Sequence, residues 1–250
     1  MRQFGLGSTK SLQDVPGMGK TMLARALGRL HRREVSRIQC TPGLPAQDIT
    51  GNSVVDQRTL DLRFVSGPIF ANVVLVDELN RATPHTQAAF LEPLDEGQVA
   101  VDGRTHLLPA PFFLLATLNP AEHHGIYPLP EGQLDRFMLA TSLGYPGFED
   151  ELQMLGSHVA RHPIDDLAPV FTPEAVVTLA REVRAVFVSE AVRRYALQII
   201  ARTRTAPGVL LGCSPRAGIA LLRAAQARAA GIVERLVEEV PAPPEIEVPR

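Results

Sequence analysis

At 250 residues and a formal net charge of −2, the chain is long enough for one large or two modest domains with a real core. Its 45% hydrophobic and 21% charged residues are the balance of an ordinary globular protein, and its charge gives no electrostatic case for nucleic acid or an anionic membrane surface. Neither end shows a basic segment followed by an apolar one, and no apolar run approaches membrane-spanning length. Direct membrane insertion is therefore not expected, and the cytoplasm is the expected compartment. Cys40 and Cys213 lie in unrelated contexts, with no metal spacing and no expectation of a disulfide.

Residues 1–11 carry neither helical nor strand periodicity. The stretch DVPGMGKT, residues 14–21, nearly matches the phosphate-loop pattern G-x-x-x-x-G-K-[ST], fitting at Gly19, Lys20 and Thr21 and departing at Asp14. From Lys20 onward, Met22, Leu23, Ala26, Leu27 and Leu30 recur at helical spacing, so the glycine-rich loop opens onto a helix N-terminus. Residues 51–64 alternate and suggest a hairpin. NVVLVDE, residues 72–78, reads as a buried strand that ends in two acids. A helix is expected from about Pro84 to Glu96, then a second hairpin turning at Asp102-Gly103, then a buried strand over 111–120 that ends at Asn119. Beyond Pro146 the pattern becomes helical, over 148–160, 173–187, 189–204 and 215–239, which puts a domain boundary near Tyr145–Gly147. The proline-rich, acidic tail is expected to be disordered.

Taken alone, the loop reads as an ordinary loop-to-helix junction as readily as a nucleotide site. Asp77 and Glu78 change that balance, because carboxylates at the carboxyl edge of an α/β sheet stand where ligands bind. They could simply mark the strand's exit to solvent. An aspartate there can also hold Mg²⁺, through water, beside phosphates, and the adjacent glutamate can orient an attacking water. Asn119 could cap the turn at Pro120, or position that water if its strand lies between the others. Arg136 in QLDRF and Arg216 in CSPRA each read singly as solvated charges, although phosphoryl transfer uses arginines of this kind.

In order along the chain, LQDVPGMGKTMLARAL, GPIFANVVLVDELNRATPHTQAAFLE, QVAVDG, PFFLLATLNPAEHHGIYPLPEGQLDRF and GCSPRAGIALLRAA resemble the MoxR-type AAA+ ATPases, from about Leu12 to Gly231. Asp14 is then a family variant of the loop. The resemblance implies an α/β P-loop fold, a three-layer αβα sandwich with a parallel sheet, followed by a small helical lid. The core would occupy residues 1–146, the lid 147–239 and the tail 240–250. It implies ATP and Mg²⁺ as cofactors, with Pro16, Gly17, Met18, Gly19, Lys20, Thr21 and Met22 around the phosphates. Thr21 and Asp77 would hold the metal, and Glu78 would be the base or water-positioner. Asn119 would be the first sensor, Arg136 a finger into a neighbouring subunit, and Arg216 a second sensor on the lid. It further implies a homo-oligomeric ring, typically a hexamer, acting as a chaperone-like remodeller with a partner that carries a von Willebrand factor A domain.

Three features depart from the family pattern. Only 13 residues precede Asp14, with STKSLQ a poor first strand; the lid runs out in VERLVEEVPAPPEIEVPR; and Pro93 interrupts a helix. The chain is thus expected to resemble a family member shortened at both ends. Hydrolysis of Mg-ATP is the expected activity. A nucleotide-binding subunit that does not hydrolyse is the rival, and a small-molecule P-loop kinase would leave LPEGQLDRF and CSPRA without a role.

Overall fold

A computed structural model describes residues 10–13, 20–30, 35–119, 125–142, 144–158, 164 and 167–231. These divide into two compact units between Val176 and Val177. In the first, β1 (Lys10–Gln13), β2 (Val35–Gln39), β5 (Val73–Asp77), β8 (Phe113–Leu118) and β9 (Leu139–Thr141) form one sheet in the order β2-β5-β8-β1-β9. Every pairing in it is parallel.

The two apolar runs become the inner strands β5 and β8, as continuous hydrophobicity requires of strands covered on both faces. Alternation then sorts their side chains. Val74, Val76, Leu114, Ala116 and Leu118 pack on one face with Ile38, Ile49, Ile69 and Phe90, while Leu75 and Leu115 pack on the other. Val74, Leu75, Val76, Leu114 and Leu115 are at most 1% exposed, and each contributes about 1.5–3 kcal/mol by leaving water. Helix α1 (Lys20–Leu30) covers the second face. Its deepest residues are Ala24 and Gly28, four apart, and their small size lets the helix approach the sheet; Met22, Leu23, Ala26 and Leu27 are only partly buried.

STKSLQ was expected to be a poor strand, yet Lys10–Gln13 is one. Its backbone runs between β8 and β9, with Gln13 opposite Leu118. Pairing on both sides supplies what its composition lacks. Both hairpins form: β3 (Gly51–Val55) pairs antiparallel with β4 (Leu62–Ser66), and β6 (Gln98–Val101) with β7 (Arg104–Leu107). Asp102 and Gly103 turn the second with φ of 50° and 73°, as a tight hairpin turn demands. At the base of the first, Gly51 has φ 86°, and a Cβ there would lie 2.2 Å from the Val65 carbonyl oxygen. Phe64 of β4 stacks on His106 of β7 with ring centroids 3.9 Å apart.

The helix expected over 84–96 is two, α3 (Pro84–Ala88) and α4 (Leu91–Glu96). Pro93 explains the break: its ring crowds the carbonyl four residues back, that of Ala89. The backbone N–H groups of Ala89 and Phe90 turn instead to the carbonyls three residues back, at Thr86 and Gln87. Short helices α2 (Gln47–Thr50) and α5 (Glu131–Leu134) and the longer α6 (Phe148–His158) complete the first unit, with a 3₁₀ turn at Leu79–Arg81.

Helix α7 (Pro173–Ala185) straddles the division, and α8 (Glu190–Thr203) and α9 (Pro215–Ala229) lie in the second unit. Ser189 and Ser214 cap α8 and α9, each accepting from the backbone N–H three residues on. In CSPRA, Ser214 is thus the cap, Pro215 the first helical residue and Arg216 the second. The Gln226 amide donates to the Val186 carbonyl at 2.7 Å, and Gly212 fits where a Cβ would come 2.4 Å from the Arg204 Cα. The expected extension of the last helix to residue 239, and the tail, lie outside the described residues.

Candidate functional site

A parallel sheet puts the carboxyl ends of its strands along one edge, where the chain turns from strand to helix. Along that edge Gln39 ends β2, Asp77 ends β5, Asn119 follows β8 and Gln13 ends β1. The register carries Gln39 opposite Asp77 and Gln13 opposite Leu118. The connection from β1 to α1, residues 14–19, is the glycine-rich loop. Pro16, Gly17, Met18 and Gly19 therefore lie outside the described residues, whereas Lys20, Thr21 and Met22 form the first turn of α1.

Asp77 and Glu78 are held by a polar network that the sequence reading did not include. Thr117, 1% exposed inside β8, donates its hydroxyl to Asp77 Oδ1 at 2.6 Å and accepts from the Glu78 backbone N–H at 2.9 Å. Arg37 Nη2 donates to Asp77 Oδ2 at 2.6 Å and to Gln39 Oε1 at 2.7 Å. Gln39 Nε2 donates in turn to Glu78 Oε2 at 2.8 Å, and Arg81 Nη1 reaches the same oxygen at 3.2 Å. Among the described residues, both side-chain bonds of Glu78 thus fall on Oε2. Glu78 adopts φ 55° and ψ 49°. A non-glycine residue held in this left-handed region costs about 1 kcal/mol or more, and such residues cluster at functional sites.

Asn119 is 3% exposed. Its backbone N–H donates to Asn80 Oδ1 at 3.3 Å, and its carbonyl accepts from Asn80 Nδ2 at 2.9 Å. Asn80 therefore fixes Asn119 against the segment that carries Glu78. Gln87, also buried, donates to the carbonyls of Ala82 and Tyr127 at 3.0 Å each and braces the same turn. Beneath the edge lies Cys40, fully buried, its backbone N–H bonded to the Asp77 carbonyl at 2.9 Å. Burial, and after it the negative charges of Asp77 and Glu78, push its thiol up to about 12.

The structure thus brings Asp77, Glu78 and Asn119 to one edge, in line with β1 and α1. Arg136 follows α5 in the same unit and is ion-paired with Asp95 of α4. Arg216 is exposed in the first turn of α9, in the second unit. Of the residues the sequence reading missed, Thr117 had a signal: it is the polar interruption in LLATLN, two residues before Asn119. Arg37 and Gln39 had only the alternation of RIQ, and their strand became visible through its pairing with β5.

For a divalent cation, hard oxygen donors are the fitting ligands. The Asp77 carboxylate, 14% exposed, keeps lone pairs beyond its two hydrogen bonds, and Thr21 offers a hydroxyl in the first turn of α1. These residues suit Mg²⁺. Among the described residues no group of three His, Cys, Asp or Glu side chains could hold a metal by itself, so further ligands would come from phosphate and water. No described helix is long and apolar enough to cross a membrane.

A parallel αβα unit with two acids at an inner strand end, followed by a helical unit, fits the P-loop AAA+ class. Comparison with known proteins agrees. Residues 10–139 match the family described as "ATPase family associated with various cellular activities (AAA)", and residues 201–231 match the AAA lid domain. The Bacillus subtilis protein YeaC is 48% identical over 218 residues, covering 87% of this chain and 68% of YeaC. Chaperone MoxR1 of Mycobacterium tuberculosis is 34% identical over 227 residues, covering 87% of this chain and 60% of MoxR1. A crystal structure of a Cytophaga hutchinsonii protein superposes with a TM-score of 0.78 at 34% identity, over 89% of this chain and 70% of that one. The chain belongs to the MoxR-type AAA+ ATPases.

Proposed function

We propose that the chain binds Mg-ATP along this sheet edge, hydrolyses it and uses the cycle to remodel a partner protein in a chaperone-like manner. The observation that carries the reading is the strand-final Asp77–Glu78 pair, fixed by Thr117 beside the buried Asn119. In this reading Lys20 neutralises the β/γ-phosphates and the backbone of residues 16–22 surrounds them. Thr21 and Asp77 hold Mg²⁺, which when bound offsets charge on the phosphates. Glu78 accepts a water proton at Oε1 while Gln39 and Arg81 hold Oε2. Asn119 orients that water. Arg136 completes a neighbouring subunit's site in a ring, of hexameric size by family resemblance, and Arg216 acts from the lid. The division into core 1–146, lid 147–239 and tail 240–250, a cytoplasmic location and a partner with a von Willebrand factor A domain belong to the same proposal.

The relative named as a chaperone supports the remodelling role. A second reading, a nucleotide-binding subunit that does not hydrolyse, draws on Arg136, whose guanidinium is paired with Asp95 of its own chain. One experiment separates them. Lys20→Ala should abolish nucleotide binding, while Glu78→Gln should keep binding and stop turnover. If wild type and Glu78→Gln bind ATP alike and neither releases phosphate, the second reading stands.

A further inference from the structure

Asp77 presents its two oxygens differently. Oδ1 receives the hydroxyl of Thr117, which is buried and cannot move away without vacating the core. Oδ2 receives Arg37, whose side chain is 52% exposed and has room to leave. Arg37 is not simply lying on the surface, because Gln39 Oε1 takes a second bond from the same Nη2. The amide of Gln39 can satisfy both neighbours in one orientation only, with its oxygen toward the guanidinium and its NH₂ toward the Glu78 carboxylate. Flipped, it would face donor with donor and acceptor with acceptor. Gln39 therefore holds Arg37 on Asp77. Each acid here has an arginine partner, Asp77 with Arg37 and Glu78 with Arg81, before any metal is bound.

We infer that Arg37 is a built-in counter-ion for the metal position: its guanidinium occupies the outer oxygen of Asp77 and competes with an arriving divalent cation for that carboxylate's charge. This rests on the reading of Asp77 as a metal ligand. The physical reason is charge. Asp77 Oδ2 already receives a guanidinium at 2.6 Å, and a second positive group beside the same carboxylate is repelled by the first. The device keeps Asp77 neutralised and oriented when no nucleotide is present. It also sets a threshold, because the metal is taken only at a concentration that outcompetes Arg37. Arg37 is a positioning residue in this scheme.

The test uses the full chain and follows binding of a non-hydrolysable ATP analogue by calorimetry while Mg²⁺ is varied. Arg37→Gln, which keeps a hydrogen-bonding side chain without the charge, should lower the half-saturating Mg²⁺ concentration about two- to fivefold, the range of an exposed ion pair. Arg37→Lys, which keeps the charge, should stay near wild type. The Arg37→Gln advantage should shrink at high salt, where the pair it removes is already screened. Analogue binding without metal should be the same in all three. Asp77→Asn separates the layers of the argument. If Asp77→Asn leaves the Mg²⁺ dependence of wild type unchanged, the metal reading of Asp77 fails. If Asp77→Asn weakens that dependence but Arg37→Gln raises or leaves unchanged the Mg²⁺ requirement, the counter-ion role of Arg37 alone is overturned.

Discussion

Thr117→Val is the most informative single change at the strand edge. Valine has nearly the shape of threonine, so β8 keeps its packing while one hydroxyl disappears. That hydroxyl makes two bonds, to the Asp77 carboxylate at 2.6 Å and from the Glu78 N–H at 2.9 Å. A hydrogen bond to a charged group contributes about 1.5–3 kcal/mol, and an N–H left without a partner away from water costs about 1–3 kcal/mol. Glu78 N–H is only part-buried, so water recovers some of that loss. We expect about 3 kcal/mol of destabilisation in total. For a domain of this size that lowers the melting temperature by roughly 6–12 °C. Because Thr117 orients Asp77 from behind, the apparent Mg²⁺ affinity should also fall, by about 10–100-fold, the usual cost of losing a supporting contact to a metal ligand. Thr117→Ser keeps the hydroxyl and should retain most of both properties. The assays are a thermal melt and a Mg²⁺ titration of ATP turnover. If Thr117→Val melts within a degree of wild type and needs no more Mg²⁺, then Thr117 does not organise the edge and the network is incidental.

Two further outcomes follow from the same structure. At pH 8 a thiol probe should label the exposed Cys213 and spare the buried Cys40, with both reacting after denaturation; equal native rates would contradict the burial. Because the folded thiol of Cys40 titrates near 12 instead of 9.0, its contribution to stability is intact below about pH 9. It declines as the pH rises from about 9 toward 12, since the unfolded state then holds fewer protons. Cys40→Ala should remove that slope from a pH series of melts. If Arg136 acts in trans, specific activity should rise with protein concentration, and mixing Arg136→Ala with Glu78→Gln chains should restore part of the lost activity. Concentration-independent activity with no rescue would assign Arg136 to its own subunit, where Asp95 already holds it.

What could be read in the sequence and what could not divides along a physical line. Val73–Asp77 and Phe113–Leu118 were legible because strands buried on both faces must be apolar throughout, and both hairpins because their alternation and the Asp102-Gly103 turn are local signals. The helices of the second unit were legible from their periodicity and from caps such as Ser214-Pro215. Val35–Gln39, Lys10–Gln13 and Leu139–Thr141 were not, because these strands exist through their neighbours; VSRIQ and KSLQ are too short and too polar to stand out until β5 or β8 lies alongside. The same limit explains the site. Asp77, Glu78 and Asn119 announce themselves by standing at the ends of apolar runs. Arg37 acts on Asp77 from 40 positions earlier and Gln39 on Glu78 from 39, a distance that only the parallel register closes. The helix over 84–96 failed as one piece for a local reason, the ring of Pro93, whose position in the sequence did mark the break.

The central claim is that the carboxyl edge of the parallel sheet is a Mg-ATP site built around Asp77, Glu78 and Asn119. A crystal structure of this chain with Mg²⁺ and a non-hydrolysable ATP analogue tests it directly. The account predicts metal density beside Asp77 with Arg37 moved off Oδ2, the terminal phosphate facing Asn119, and a water within hydrogen-bond reach of Glu78 Oε1. Phosphates bound away from the ends of β5 and β8, with the Arg37–Asp77 pair still closed, would contradict it.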